Sequence, residues 1–243
     1  MTVAPPEFLR MLVERAATRY RRAGKFAWHF AQGKLGGDPA FAALLSQGLL
    51  TGRDRIVDIG CGQGLLAAWV LAAEDAAREG QWPAQWPAAP RPAHIHGIDL
   101  LRRDVIRAEE ALSGELSSGR VSFVTGDMCH ADFGRVDAVV ILDVLHYVRE
   151  EAQEDVLRRV RAALDPGGVL VLRIGDAAAG LPFRFSNWVD HGVAAFRGNG
   201  LSRFHCRTLT QWQRVLSSLG FTVQARAMSA GTPFANVMLV ARL

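Results

Sequence analysis

The residues most able to do chemistry gather at Val57-Asp58-Ile59-Gly60-Cys61-Gly62-Gln63-Gly64. Glycines at alternate positions after a β-branched run let the backbone turn sharply. They also let a ligand touch the main chain with no Cβ in the way. Gly62, Gly64 and Ala67 satisfy the loose nicotinamide pattern G-x-G-x-x-A as well. Two carboxylates separate the readings. Asp58 stands two residues before the first glycine, where a diphosphate would otherwise sit. A carboxylate there suits a ligand carrying an ammonium group and repels a diphosphate. Asp99 closes the next apolar run, where an acid accepts both hydroxyls of an adenosine ribose. Asp127, after a third run, is placed to accept from an adenine amino group, with Met128 available to pack on the ring.

These residues need a scaffold of alternating strands and helices. Ile56 to Ile59 reads as a strand, the glycines as a loop, and Leu65 to Arg78 as a helix. The alternation continues with strand Ile95 to Leu100, helix Arg102 to Leu112, strand Val121 to Thr125, strand Val136 to Leu142 and helix Arg149 to Leu164. Asp165-Pro166-Gly167-Gly168 reads as a helix stop and turn before strand Val169 to Ile174. Helix Thr210 to Leu219 and strands Phe221 to Ala227 and Ala235 to Ala241 close the chain. Apolar strands alternating with helices imply a parallel sheet covered on both faces. The link between the last two strands is too short for a parallel crossover, so they pair antiparallel.

Residues 1–52 read as a helical N-terminal cap and 53–243 as the main domain, with insertions at 80–93 and 176–206. In the cap, Gly33 to Pro39 is expected to break the chain, and Arg19-Tyr20-Arg21-Arg22 to form a solvated helix face. The first insertion carries Pro83, Pro87, Pro90 and Pro92, which forbid a helix. A folded-back loop burying Trp82 and Trp86 is expected there, on the face away from the ligand.

Composition narrows the class. The 243 residues are 49% hydrophobic and 21% charged, with net charge +4, which is ordinary for a globular protein. Cys61, Cys129 and Cys206 are far apart and not in CxxC spacing, so neither a disulfide framework nor a zinc site is suggested. Glu7, Arg10, Glu14 and Arg15 interrupt any signal-peptide core, and no apolar run approaches the ~20 residues of a membrane span. The expected location is the cytoplasm, with peripheral attachment to the inner membrane as its variant.

Taken together, the motifs resemble the class I S-adenosylmethionine-dependent methyltransferases. The matching residues are Asp58 to Gly64, Gly97-Ile98-Asp99-Leu100, Gly126-Asp127-Met128, Asp137 to Asp143, and Leu164-Asp165-Pro166-Gly167-Gly168. The resemblance implies a Rossmann-like α/β fold, its seven-stranded sheet in the order 3-2-1-4-5-7-6 with only the last strand antiparallel. It implies S-adenosyl-L-methionine as cofactor and S-adenosyl-L-homocysteine as product. The cofactor-binding set is then Asp58, Gly60, Cys61, Gly62, Gly64, Asp99, Leu100, Asp127, Met128 and Asp143, with Lys34 reaching the cofactor carboxylate. The chain departs from the family in the long gap from Asp58 to Asp99, which the Pro-rich insertion fills.

A narrower resemblance, to bacterial methyltransferases of aryl-polyene-type pigment biosynthesis, rests on Gly24 to Phe30 with Gly33-Lys34-Leu35, on Asp143-Val144-Leu145-His146-Tyr147 and on Gly231 to Asn236. It implies O- or C-methylation of a small aromatic or polyene-type acceptor, with an acyl carrier protein as the carrier of such a chain. Transfer from a sulfonium needs an aligned nucleophile and a base to deprotonate it, and histidine serves near neutral pH. His146 comes first because it follows the fourth strand, whose carboxyl end adjoins the methyl group in this fold; His29 and His191 come next. The acceptor is expected against Phe26, Trp28, Tyr147, Phe183, Phe185 and Trp188. Between Ala177 and Cys206, Asp190 is nearly the only acid and several arginines are present, which favours a neutral or anionic molecule.

The rival readings are a nucleic-acid methyltransferase and a non-catalytic cofactor-binding partner protein. The sequence after the fourth strand, Asp143-Val144-Leu145-His146, lacks the Asn/Asp-Pro-Pro-aromatic run of base amino-group methylation, and no RNA-binding module is recognisable.

Overall fold

The computed structural model describes residues 5–176, 205–228 and 236–243. Two compact units divide the chain, residues 1–138 and 139–243.

The first unit opens with helices. α1 (Pro6–Thr18) starts on a proline, whose fixed φ suits the first helical position, and buries Phe8, Leu12 and Ala16 along one stripe. A 3-10 turn, Arg19–Arg21, leads to α2 (Lys25–Gly37). α2 runs unbroken through Gly33 and Gly36, so the break expected over Gly33 to Pro39 is confined to the end of that range. A helical glycine costs only about 1 kcal/mol relative to alanine, and the buried stripe Ala27, Ala31 and Leu35 offsets that cost. The chain breaks one step later at Asp38, which leaves the helical region and caps α3 (Pro39–Ser46) by accepting from the Ala40 amide at 3.0 Å.

Then comes the alternation: β1 (Arg55–Ile59), α4 (Leu65–Arg78), β2 (His94–Asp99), α5 (Arg102–Ala111), α6 (Ser113–Ser117) and β3 (Val121–Thr125). β1, β2 and β3 pair in parallel, Ile56 opposite Ile95 and Ile95 opposite Val121. α4 is buried at every position from Leu65 to Glu74, so it reads apolar all round. The Pro-rich insertion folds back as expected. Trp82 and Trp86 meet Phe8 of α1 edge-to-face, with ring centroids 5.4–5.6 Å apart, and the Trp82 indole donates to the Pro87 carbonyl.

β4 (Val136–Leu142) starts in the first unit and ends in the second. The second unit continues with a 3-10 turn at Leu145–Tyr147, α7 (Glu150–Ala163), β5 (Leu164–Gly175), α8 (Leu209–Ser218), β6 (Thr222–Ala227) and β7 (Asn236–Arg242). β5 is bounded five residues earlier than the expected Val169, but its pairing with β7 begins at Val169 and Gly167 keeps a positive φ, so the expected turn at Asp165 to Gly168 is present. Its tightest point is Gly168, where a Cβ would lie 2.8 Å from the Asp165 carbonyl oxygen. β7 pairs antiparallel with both β5 and β6. The sheet order is β3-β2-β1-β4-β5-β7-β6, the order expected of the class I methyltransferase fold. Among the described residues, no helix is long and apolar enough to cross a membrane.

Candidate active site

Each unit carries one group of the residues singled out above. In the first, the glycine loop leaves β1 and is tied to β2. The Gly60 and Cys61 amides both donate to the Ile98 carbonyl, at 2.8 and 3.1 Å. Both oxygens of Asp99 accept main-chain amides, from Gly62 and Leu101, each at 2.8 Å. A carboxylate offers about four lone-pair directions, so Asp99 keeps acceptor capacity for a diol while it shapes the loop. Gly60, Gly62 and Gly64 all have positive φ. A Cβ on Gly62 would meet nothing within 4 Å, so the main chain there is open to a ligand.

Gly64 is different. Its φ is +74°, and a Cβ would lie 2.9 Å from the Phe123 ring and 3.0 Å from Ala108. Left-handed strain and overpacking add to about 3 kcal/mol. Gly64→Ala is therefore expected to lower the melting temperature by roughly 6–12 °C in a thermal melt.

The loop's electrostatics centre on Asp58. It is 6% exposed, and among the described residues no ion pair neutralises it. Burial first, and then the nearby Asp99 carboxylate, push the Asp58 carboxyl up to about 8. Burial and then Asp58 likewise raise the Cys61 thiol. Next in the loop, Gln63 is buried and its Oε1 has no hydrogen-bond partner. Buried acceptors without donors are costly. A ligand bringing N–H donors and positive charge would satisfy both groups, and a diphosphate would satisfy neither.

A residue the sequence reading passed over supports this loop. Tyr20, fully buried, donates from its hydroxyl to the Gln63 carbonyl at 2.8 Å. Its neighbours correct the solvated-face expectation: Arg19 pairs with Asp75 at 2.8 Å and with Glu115, and Arg22 donates to Ser113 at 2.7 Å. The cluster fastens the cap helices to α4 and α6.

The other candidates in this unit are more open. Asp127 is exposed, and its Oδ1 accepts from the Cys129 amide at 2.9 Å; Met128 is half-buried. Leu100 is 64% exposed. Lys34 sits in the last turn of α2 and pairs with Asp38 at 2.8 Å, so its ammonium is engaged within the cap. Phe26 is exposed and stacks on Phe30, with the Arg107 guanidinium 4.9 Å from its ring centroid. Trp28 has Arg21 over one ring and the exposed His29 beside it, 4.6 Å between centroids.

In the second unit, Asp143 follows β4 in the left-handed region, φ 59°, unusual for a residue other than glycine. Its carboxylate accepts from Nε of the buried Arg173 at 2.9 Å and from a terminal guanidinium nitrogen of the same residue. That pairing occupies a group expected on the cofactor. His146 lies in the 3-10 turn, its ring 4.3 Å from that of Tyr147, and its carbonyl accepts from the His205 amide at 2.9 Å. His191, Phe183, Phe185 and Trp188 lie outside the described residues.

Gln153 and Arg207 also escaped the sequence reading. Gln153 is fully buried, and Arg207 donates to its Oε1 at 3.0 Å. The available signal was position: Gln153 falls on the buried stripe Val156, Leu157 and Val160 of α7. A polar residue on such a stripe must have partners. Arg173 carries the same signal inside the apolar run Val169 to Ile174.

Comparison with known proteins fits this geometry. Residues 57–170 match a family model described as a methyltransferase domain. The carboxy-S-adenosyl-L-methionine synthase of Chromohalobacter salexigens is 32% identical over 118 residues, 49% of this chain and 38% of that protein. The ribosomal RNA small subunit methyltransferase C of Alcanivorax borkumensis is 29% identical over 166 residues, 66% of this chain and 43% of that protein. The chain thus spans about two fifths of the length of these relatives. In fold it is similar to the magnesium protoporphyrin IX methyltransferase of Synechocystis PCC 6803 with bound S-adenosylhomocysteine, TM-score 0.59, 20% identical, with 93% of each chain covered.

Proposed function

We propose that residues 57–170, which match a family model described as a methyltransferase domain, form a class I S-adenosylmethionine-dependent methyltransferase domain, and that the chain methylates a small aromatic or polyene-type acceptor, neutral or anionic, on oxygen or carbon. The observation that carries the reading is the buried Asp58 carboxyl and, five residues on, the unpartnered Gln63 Oε1, in a loop whose main chain is open at Gly62. Bound there, the cofactor would supply a sulfonium methyl group whose transfer leaves a neutral thioether.

The chain's own residues do the rest in this reading. Asp58 and Gln63 take the ammonium group, Asp99 the ribose hydroxyls, and Asp127 the adenine amino group, with Leu100 and Met128 against the base. His146 takes the acceptor's proton. It follows the fourth strand, and ligands of open α/β sheets bind beyond the carboxyl ends of strands. A phenolic or enolic nucleophile needs a base, whereas the departing thioether needs no acid. Phe26 and Trp28 of the cap offer aromatic surface for a flat acceptor, and Arg21 and Arg107 over their rings suit an anionic one.

A second reading, methylation of RNA, is favoured by the ribosomal RNA methyltransferase among the relatives. One assay separates the readings. The protein is incubated with S-adenosylmethionine and phenols, phenolic acids, polyene carboxylates or ribosomal RNA, and S-adenosylhomocysteine is followed by mass spectrometry. Product with the aromatic or polyene compounds is the expected result. Product with RNA alone supports the second reading, and none from any acceptor, with cofactor still bound, leaves a non-catalytic binding protein.

A further inference from the structure

The first turn of α7 holds a polar network with an unusual division of labour. The two N–H donors of the Gln153 side-chain amide are shared among three carbonyls: Leu145 at 3.1 Å, Val148 at 3.0 Å and His205 at 2.7 Å. Two of those carbonyls bracket His146. The third belongs to the residue whose own amide donates to the His146 carbonyl at 2.9 Å. One buried amide therefore braces the His146 turn and the segment that enters α8. Its remaining atom, Oε1, accepts from Arg207 Nε. Arg207 is in turn held by the Glu150 carbonyl at 2.9 Å, the Glu154 carboxylate at 2.7 Å and the face of Trp212 at 5.6 Å.

The residue types follow from this arrangement. The Leu145 carbonyl also accepts from the Val148 amide at 3.2 Å, so the Val148 and His205 carbonyls depend most on a side-chain donor. Glutamate at 153 would set a carboxylate among three carbonyl oxygens. Leucine would take the side-chain donor away from the Val148 and His205 carbonyls, at a desolvation cost. Glutamine alone gives donors on one side and an acceptor for the guanidinium on the other.

The geometry points to Gln153 and Arg207 as positioning residues for methyl transfer. They lock the backbone on both sides of His146 to the 205–208 segment, and so fix the direction in which the imidazole presents its base. The inference rests on the reading of His146 as the base. It adds that the posture of His146 is imposed by a residue on the next helix and a residue far along the chain.

The test uses the intact chain with Gln153→Met, Arg207→Met and Arg207→Lys. Amide hydrogen exchange, which needs no acceptor, is expected to speed up at His205 by about 10- to 100-fold in Gln153→Met, while Val171 and Val240 in the sheet stay protected. With an acceptor from the assay above, kcat per folded molecule falls by roughly 10- to 100-fold, as for other supporting residues of reacting groups. The Kd for S-adenosylhomocysteine stays within about twofold, and Arg207→Lys recovers part of kcat. Should Gln153→Met fail to fold, Arg207→Met breaks the same bond from its other end. Unchanged exchange at His205, or unchanged kcat per folded molecule, overturns the inference. If His146→Gln is as fast as the native protein, the base reading itself has failed and this coupling falls with it.

Discussion

Replacing Asp58 with asparagine is expected to make the protein more resistant to heat and nearly unable to bind S-adenosylhomocysteine. The folded carboxyl holds its proton up to about 8, whereas an unfolded aspartate releases it near 4. Between those values the folded state binds more protons than the unfolded one. Its stability therefore falls as pH rises through the window, and the loss levels off above about pH 8. At pH 8 the accumulated penalty is on the order of several kcal/mol, and a neutral amide escapes it. Asp58→Asn should melt roughly 5–15 °C above the native protein at pH 8 and close to it at pH 4.5. Differential scanning fluorimetry across that range reads the widening gap.

The binding half of the prediction has the opposite sign. A ligand ammonium is best held by ionised Asp58, so binding at pH 6–7 must expel the carboxyl proton. Native affinity should rise about tenfold per pH unit and flatten near pH 8, with about one proton released. Calorimetry in buffers of different ionisation enthalpy measures that proton. In Asp58→Asn the pH dependence vanishes and affinity falls about 100- to 1000-fold, the size of losing one partner of a buried ion pair. PH-independent native binding, matched by the asparagine variant, would remove the electrostatic basis for assigning the cofactor.

Much of this was legible before any coordinates. The β-branched run to Ile59, the alternating glycines and the alanine-rich helix after them have strong local preferences, and α4 lies where those preferences set it. The antiparallel final pair was legible from loop length alone. The shift of the break to the end of α2 has a physical cause. Glycines read as breakers by local propensity, yet the buried Ala27, Ala31 and Leu35 stripe decides the issue through tertiary packing. The supporting groups of the site were illegible for a different reason. Tyr20 meets Gln63, Asp143 meets Arg173, and Gln153 meets Arg207, each across a long stretch of chain. Only the odd polar residue in an apolar stripe announces such a pair, and it does not name the partner. Asp143 shows the consequence, since its carboxylate is taken by an arginine that local sequence gives no reason to pair with it.

The other large effect is expected at His146. With an acceptor that supports turnover, His146→Gln should lower kcat by roughly 10²- to 10⁴-fold, the usual contribution of a general base. The Kd for S-adenosylhomocysteine should stay within about twofold, because the proposed cofactor ligands are Asp58, Asp99 and Asp127. The main-chain bond from the His205 amide to the His146 carbonyl does not depend on the side chain, so the turn keeps its fold and the melting temperature moves little. A base must be unprotonated to act, so native kcat should climb with pH through one ionisation and then level, and that limb should disappear in the glutamine variant. Free imidazole offers a second check. Added to His146→Ala, it should restore part of kcat in proportion to its neutral fraction, which a purely structural histidine would not allow. If kcat, its pH profile and the response to imidazole are all native-like, proton removal belongs to another group, and His29, exposed beside Trp28, is the next residue to change.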